Sequence, residues 1–389
     1  MKFQNCIIPS SIAGVFLIFK LLFASSVHEF TGYDDFLQST EIRNLSITAD
    51  GKVQLGPQLS LVYNTKESYV WSLAQDKKGN IFAGTGSDGK IFRISPLEAD
   101  KGELFFDSEE TEILSIALDQ QGNLYAGTAP KGVVYKISPP KADRAEKFFE
   151  TNENYVFALV FDEKGFLYIG TGEKGNIYKV NAQGNGKVIY DSPEPHITSL
   201  VFSSKPKPTL FAGTSGQGLV YKITELESNP EIMTIYDATE EEIRALFIDG
   251  KGDIYCGANP SYPKSGVQKS DFSEITLSAS GLAQAGKSSG FIPKIYQLSS
   301  DGLVKQSWQS SDSVIFAIQA YGKEIMIGTG NSGRIYLVDK QGIGKGLGTL
   351  SLTTSEPQIT VLSSGPSGSI LIGTGNPGKI YRLKSDMNK

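Results

Sequence analysis

Seven four-stranded blades of an all-β propeller, with an N-terminal strand closing the last blade, are what this sequence predicts. Three observations predict them: one phrase written seven times, a spacing of about 43 residues between copies, and strand–turn alternation inside every copy.

The phrase is GTGSDGKIFRI from Gly84. It returns as GTAPKGVVYKI from Gly127, GTGEKGNIYKV from Gly170, GTSGQGLVYKI from Gly213, GTGNSGRIYLV from Gly328 and GTGNPGKIYRL from Gly373. A broken copy starts as GANP at Gly257 and resumes as KIYQL at Lys294. The starting glycines stand 43, 43, 43, 44, 71 and 45 residues apart, so one copy carries a long insertion. A fixed period of this length marks a stacked or circular array.

Each copy divides into four short strands. The second one reads ILSIALD, a turn at QQGN, then LYAGT, the glycine turn, VVYKI and a looser EKFFE. β-Branched and aromatic residues between Gly, Asn, Asp and Pro are strand and turn signals. Asp76, Asp119, Asp162 and Asp249 open the turn before the phrase. An aromatic follows the glycine turn in every copy, from Phe92 and Tyr135 to Tyr381. A helical repeat would instead show a 3.6-residue period.

The last copy stops at Leu383 without its outer strand, whereas LSLVYN at 59–64 precedes the first copy and matches the outer-strand pattern ELFFDS at 103–108. The N-terminal segment is therefore expected to complete the last blade and remove an open edge.

The rest of the chain divides simply. Residues 1–26 pair Lys2 with an apolar run and then Ala24-Ser25-Ser26, which resembles a secretory signal peptide or, if uncleaved, a membrane anchor. Residues 27–58 form a polar N-terminal extension containing Asn44-Leu45-Ser46, a triplet that accepts a glycan in some secretory pathways. The propeller spans 59–385, interrupted in blade 5 by the Ser-, Gly- and Lys-rich insertion 260–291, expected as a long loop or small hairpin. Past the signal segment Cys256 is the one remaining cysteine, so no intramolecular disulfide is expected. With 37 basic and 42 acidic residues, net charge −5, the chain offers no basic field for nucleic acid.

Repeats allow positions to be compared without relatives: what every blade shares serves the blade, and what differs is free for a site. An acid precedes each inner strand: Glu67, Glu110, Glu153, Glu194, Glu240, Asp312 and Glu356. It predicts either a cation-attracting mouth or a set of caps accepting backbone N–H or Thr hydroxyl bonds from the next blade. Three residues later, in every blade, stands a β-branched packing residue, Val70, Ile113, Val156, Ile197, Ile243, Ile315 or Ile359. Its neighbours vary. Tyr69, Trp71, Tyr155 and Phe316 supply apolar and aromatic surface, and Glu112, His196, Glu242 and Arg244 supply ionisable groups. Apolar walls with a few orienting polar groups are the composition of a ligand site. These eight residues are the predicted ligand-binding set. The insertion 260–291 is expected to overhang Tyr155, His196, Glu242 and Arg244, with Arg244 and His196 orienting an anionic or polar group.

No catalytic residue, metal ligand set or cofactor site is predicted. Two histidines, His28 and His196, offer no metal cluster and no Ser-His-acid order, and GTGSDG joins two strands rather than opening a helix.

The blade phrase D-x-x-G-N-[LI]-[YF]-x-G-T-x-x-x-G-x-[IV]-[YF]-[KR]-[IVL] resembles that of bacterial secreted seven-bladed propellers of the WD-repeat-like superfamily, the sensor-type blades above all. The Trp-Asp ending of eukaryotic WD repeats is absent. Streptogramin-lyase-like and gluconolactonase-like propellers are related in shape. The lyase likeness would imply a catalytic His with acidic partners and a divalent metal, and only His196, Glu194 and Glu242 could be matched to it. The expected function is a secreted or periplasmic, non-catalytic module that binds a small polar or anionic ligand or a protein partner at the glycine-turn face. It would contact no membrane apart from the signal segment. The alternatives are a metal-dependent lyase or lactone hydrolase of propeller type, and a structural subunit of a cell-envelope complex.

Overall fold

Alternating side chains and frequent turns leave the chain one way to bury its apolar surface, in antiparallel strands. The computed structural model describes residues 45–47, 53–96, 101–138, 145–260, 292–310, 312, 314–340, 348–365 and 368–383, and among these there is no helix. The expected signal segment 1–26, Asn44 and residues 261–291 of the insertion lie outside the described residues.

The first copy forms strands Tyr69–Gln75, Ile81–Gly86, Lys90–Ile94 and Gly102–Asp107, each paired antiparallel with the next. The following copies repeat this order, their first strands running Glu112–Leu118, Tyr155–Phe161, His196–Ser203, Glu242–Ile248, Ile315–Tyr321 and Gln358–Ser364. The Asp-headed turns are local clasps. Asp76 Oδ1 accepts the N–H of Lys78 and Asn80, while Gly79 takes φ 88° beneath it. At the other end the phrase's threonine bridges the glycine turn: Thr85, Thr128, Thr171, Thr214 and Thr329 each donate to the carbonyl five residues on. In the fifth copy that turn is replaced by the insertion, and the threonine is replaced by the fully buried Ala258.

Successive copies are joined by one seam. A Cβ on Gly84 would stand 2.6 Å from Ile113 Cγ2 in the next copy, and one on Gly328 would stand 2.6 Å from Ile359 Cγ2. The glycine leaves the hollow that the next copy's fully buried β-branched residue fills. Hydrogen bonds run alongside. Ser115 Oγ donates to Val156 O at 3.0 Å and Gly216 N to Glu241 O at 2.9 Å.

The last copy meets the first by the same contacts. A Cβ on Gly373 would be 2.9 Å from Val70 Cγ1, Gly378 N donates to Glu67 O at 2.8 Å, and Thr360 Oγ1 donates to Val70 O at 2.5 Å. Leu59–Asn64 pairs antiparallel with Lys379–Leu383, from Leu59 opposite Leu383 to Asn64 opposite Lys379.

The extension 27–58 is more than a link. Leu45–Ile47 and Val53–Leu55 make a hairpin, and Ile47 pairs with Leu350 of strand Gly348–Thr353 in the sixth copy. The hairpin covers that strand's edge, with Ile47 and Ser46 buried. Two three-residue strands are too short for period-two alternation to stand out in the sequence. Ser46 donates to Ser351 O at 3.4 Å.

Gly84→Ala should destabilise by about 1–3 kcal/mol, as overpacking does. Paired with Ile113→Ala it should lose less than the sum of the single changes, measured by denaturant melts as a double-mutant cycle. Additive losses would mean that the seam does not couple the two sites. Deleting 27–64 should lower the melting temperature by more than about 4 °C, more than an ordinary one-residue change. An unchanged melt would show that Lys379–Leu383 needs no partner strand.

Candidate functional site

The first strand of every copy alternates half-buried and fully buried side chains, and the pairing with the second strand slips at one place. In the first copy the slip lies between Val70 and Ser72, and the same slip recurs between Ile113 and Ser115, Val156 and Ala158, Ile197 and Ser199, Ile243 and Ala245, Ile315 and Ala317, and Ile359 and Val361. The extra residue is Trp71, Leu114, Phe157, Thr198, Arg244, Phe316 or Thr360. A β-bulge frees one side chain from the ladder and re-aims it. The variable positions flanking the packing residue are thus the ones the backbone releases.

The eight expected site residues all lie on these strands and are all half-buried. Tyr69 and Trp71 stack with ring centroids 4.5 Å apart, and Asn376 Nδ2 donates to the Tyr69 hydroxyl at 3.0 Å. Tyr155 stacks on Phe157 at 5.3 Å, and Phe157 meets His196 edge-on at 5.7 Å. Phe157 extends the expected set. It was legible as one of the variable flanking positions.

Arg244 reaches into the next copy, its guanidinium 4.9 Å from the centre of the Phe316 ring. It also donates to Glu242 Oε1 at 3.1 Å, and Asn259 Nδ2 donates to Glu242 Oε2 at 3.2 Å. Arg244 is thus held to a carboxylate through one of its guanidinium nitrogens. His196 Nδ1 accepts the N–H of Glu173 at 3.3 Å, and burial lowers its pKa against the opposing pull of Glu242 and Glu173. Burial pushes the Glu112 carboxyl up, with the Trp71 indole opposing. The contact is close but not a well-aligned hydrogen bond, since Trp71 Nε1 is enclosed without a partner.

The support beneath these rings is not legible in the sequence. A Cβ on Gly86 would stand 2.5 Å from Trp71 Nε1, and one on Gly330 2.6 Å from Phe316 Cε2. Gly172 lies equally close under Phe157. The phrase's second glycine is the bed on which its own copy's bulged aromatic lies. Where the bulged residue is Leu114, Thr198 or Arg244, that position is Ala129, Ser215 or Asn259. Asn259, in the broken copy, also hooks the next strand: its Nδ2 donates to Ile315 O at 2.9 Å and its Oδ1 accepts Ile315 N at 2.8 Å.

The acids before each first strand are caps, but their donors come from their own copy and not from the next. Glu153 accepts Thr171 Oγ1 and Asn176 Nδ2, both at 2.8 Å. Glu240 accepts Tyr296 OH at 2.8 Å and Lys294 Nζ at 2.6 Å, and Glu356 accepts Tyr381 OH at 2.9 Å and Lys379 Nζ at 2.6 Å. Asp312 holds Thr329 and Arg334, and Glu67 holds Lys90. The reason is register. The third strand opens with a donor and carries the phrase's aromatic two residues on, both beside the acid. The fourth copy opens with Leu219 and the second with Val133 instead. There Glu110 is buried with only Lys131 Nζ at 3.3 Å, an ion pair without hydrogen-bond alignment. Buried, and hydrogen-bonded or ion-paired within the protein, the acids form no open cation mouth.

Glu194, His196 and Glu242 are each committed to other bonds. Glu194 is buried on Gln217 N at 2.6 Å, and the other two are bonded to Glu173 and Arg244. Among the described residues no three His, Cys, Asp or Glu side chains cluster as metal ligands would.

No family model matches the chain, and no curated protein matches it in sequence. Solved structures do. Streptogramin B lyase superposes with a TM-score of 0.65 at 12% identity, covering 85% of this chain and 98% of that one. The WD40 propeller domain of Doa1 superposes with 0.63 at 12% identity, covering 85% and 98%. The extracellular domain of a one component system from B. thetaiotaomicron gives 0.54 at 15% identity, covering 83% of this chain and 39% of that one. The chain is a β-propeller. Identities this low carry the propeller fold and nothing about activity.

The lowered His196 pKa has a sign that can be measured. Below the ordinary value of 6.5 the unfolded chain takes up a proton that the folded His196 refuses, so its contribution to stability falls on acidification. His196→Gln should flatten the fall in melting temperature between about pH 7.5 and 5.5. Parallel curves for the two proteins would refute the assignment.

Proposed function

We propose that the chain is a secreted or periplasmic, seven-bladed propeller of four-stranded blades that acts as a non-catalytic binding module. Its contact surface is the rim where the bulged first strands and the glycine turns meet. One observation carries this reading. The backbone releases the same side chain in every copy, and Trp71, Leu114, Phe157, Thr198, Arg244, Phe316 and Thr360 there differ in size and chemistry, as do Tyr69, Glu112, Tyr155, His196 and Glu242 two residues before, while the packing residue between them stays Val or Ile. Uniform packing with varied, mostly half-buried tips is the composition expected of a recognition surface.

The insertion favours the same rim. Asn259, the last strand residue before the insertion, lies opposite Glu242 in the strand register. A small polar ligand or a segment of a protein partner suits stacked rings flanked by polar groups. Likeness to an extracellular sensor domain supports a location outside the cytoplasm. A lyase reading has less support, because the residues it would use are committed to other bonds.

A thermal-shift panel of small molecules and peptides tests the reading. A ligand present at about 100 times its Kd should add about 2.7 kcal/mol to wild-type stability. The gain should vanish in Phe316→Ala and in Trp71→Ala. Equal stabilisation of wild type and both variants would place binding elsewhere.

A further inference from the structure

The second copy keeps the acid and the aromatic of its cap but not the donor that other copies place beside them. In the seventh copy Lys379 Nζ and Tyr381 OH both donate to Glu356, and in the fifth Lys294 and Tyr296 both reach Glu240. In the third, Asn176 takes the lysine's place and Tyr178 OH still donates to Glu153 at 3.3 Å. Val133 holds that position in the second copy and is packed into the core. Both carboxylate oxygens of Glu110 and the hydroxyl of Tyr135 are enclosed there with no hydrogen-bond partner in the chain. Glu110 is 3% exposed and Tyr135 5%. Among the described residues no other cap acid is left this way.

Losing the donor does not by itself force this outcome. The fourth copy has Leu219 at the same position, yet Glu194 turns to Gln217 N at 2.6 Å and Ser192 Oγ donates to Tyr221 OH at 3.4 Å. In the second copy Lys131, the counterpart of Gln217, brings only its ammonium, 3.3 Å from Glu110 and out of hydrogen-bond alignment. That ammonium balances the charge of the carboxylate. What the cap still calls for is a hydrogen-bond donor and not a further cation. Burial pushes the Tyr135 pKa up, with Lys147 opposing and Glu109, Glu110 and Glu150 adding, so the hydroxyl keeps its proton. Enclosed polar groups of this kind are met in folded proteins by an ordered water with about three bonds.

We infer that the second copy carries a binding site for one water molecule, which donates to the Glu110 carboxylate and accepts from the Tyr135 hydroxyl. The water then fills the role that Lys294, Asn176 and Lys379 fill in their own copies. Glu110 stands two residues before Glu112, so the water anchors the head of the strand that brings Glu112 and Leu114 to the rim. The inference does not depend on what the rim binds.

Tyr135→Phe gives the test a sign. Removing a buried hydroxyl that has no partner relieves a desolvation cost, whereas removing one that is bonded through a water loses that bond. The variant should therefore melt about 2–4 °C below wild type in a thermal scan. A crystal structure of the wild-type chain should show one solvent peak within about 3.2 Å of both a Glu110 carboxylate oxygen and the Tyr135 hydroxyl. Melting in sodium, potassium and choline chloride at equal ionic strength should coincide. The inference is overturned if Tyr135→Phe melts at or above wild type, if the crystal shows no such peak, or if it shows Tyr135 bonded directly to Glu110. Higher melting in one alkali salt that Glu110→Gln abolishes would overturn it in favour of a metal ion.

Discussion

The fold depends on a glycine that is needed because of its neighbour. Gly84 and its equivalents have no Cβ because the next copy's Val or Ile occupies that space. Each such β-branched side chain is fully buried, worth about 1.5–3 kcal/mol, and the contact recurs from copy to copy. In an array of this kind stability is a sum of units and nearest-neighbour seams, so an end unit would lack one seam. The pairing of Gly373 with Val70 and of Leu59–Asn64 with Lys379–Leu383 supplies it. No described disulfide stands behind these seams: Cys256 is a fully buried free thiol whose pKa is pushed up by burial alone.

The seam also separates what is shared from what is free. It uses the buried side of each first strand, and the bulge then turns one side chain away from it. The buried position can therefore stay Val or Ile throughout while the next runs from Thr198 to Trp71. The bed beneath follows the tip. Gly86, Gly172 and Gly330 lie under Trp71, Phe157 and Phe316, and larger residues stand where the tip is smaller or reaches outward. Gly375 fits the rule from the other side, because its own tip is Thr360 and the ring of Tyr69 covers it from the next copy.

How much of this is legible in the sequence follows from its physical period. Strands, turns and the closing strand show because alternation and repeated glycines are local patterns. The variable rim shows because seven copies can be compared with one another. The bulge does not show. Val70, Trp71 and Ser72 continue an ordinary alternation, and only the partner strand reveals that a residue is extra. The donors to the acids are hidden for a similar reason, since which strand faces Glu153 or Glu356 is a matter of register. The short hairpin at 45–55 has too few residues for a period to emerge. Charge is the subtlest case. Arg244 alone suggests an anion, and only the geometry shows Glu242 already bonded to it, with Asn259 on the carboxylate's other oxygen.

That last point sets the electrostatics of the whole rim. The acids that precede the first strands would have flooded it with negative potential had they faced water. Most are instead buried on lysine, arginine, hydroxyl and amide donors of their own copies and satisfied locally, and Glu110 has Lys131 beside it. What potential remains is set by the few variable residues, Glu112 first among them. A propeller built this way can change its ligand by changing tips at bulges. The seam glycines, the buried β-branched residues and the capped acids need not change with them.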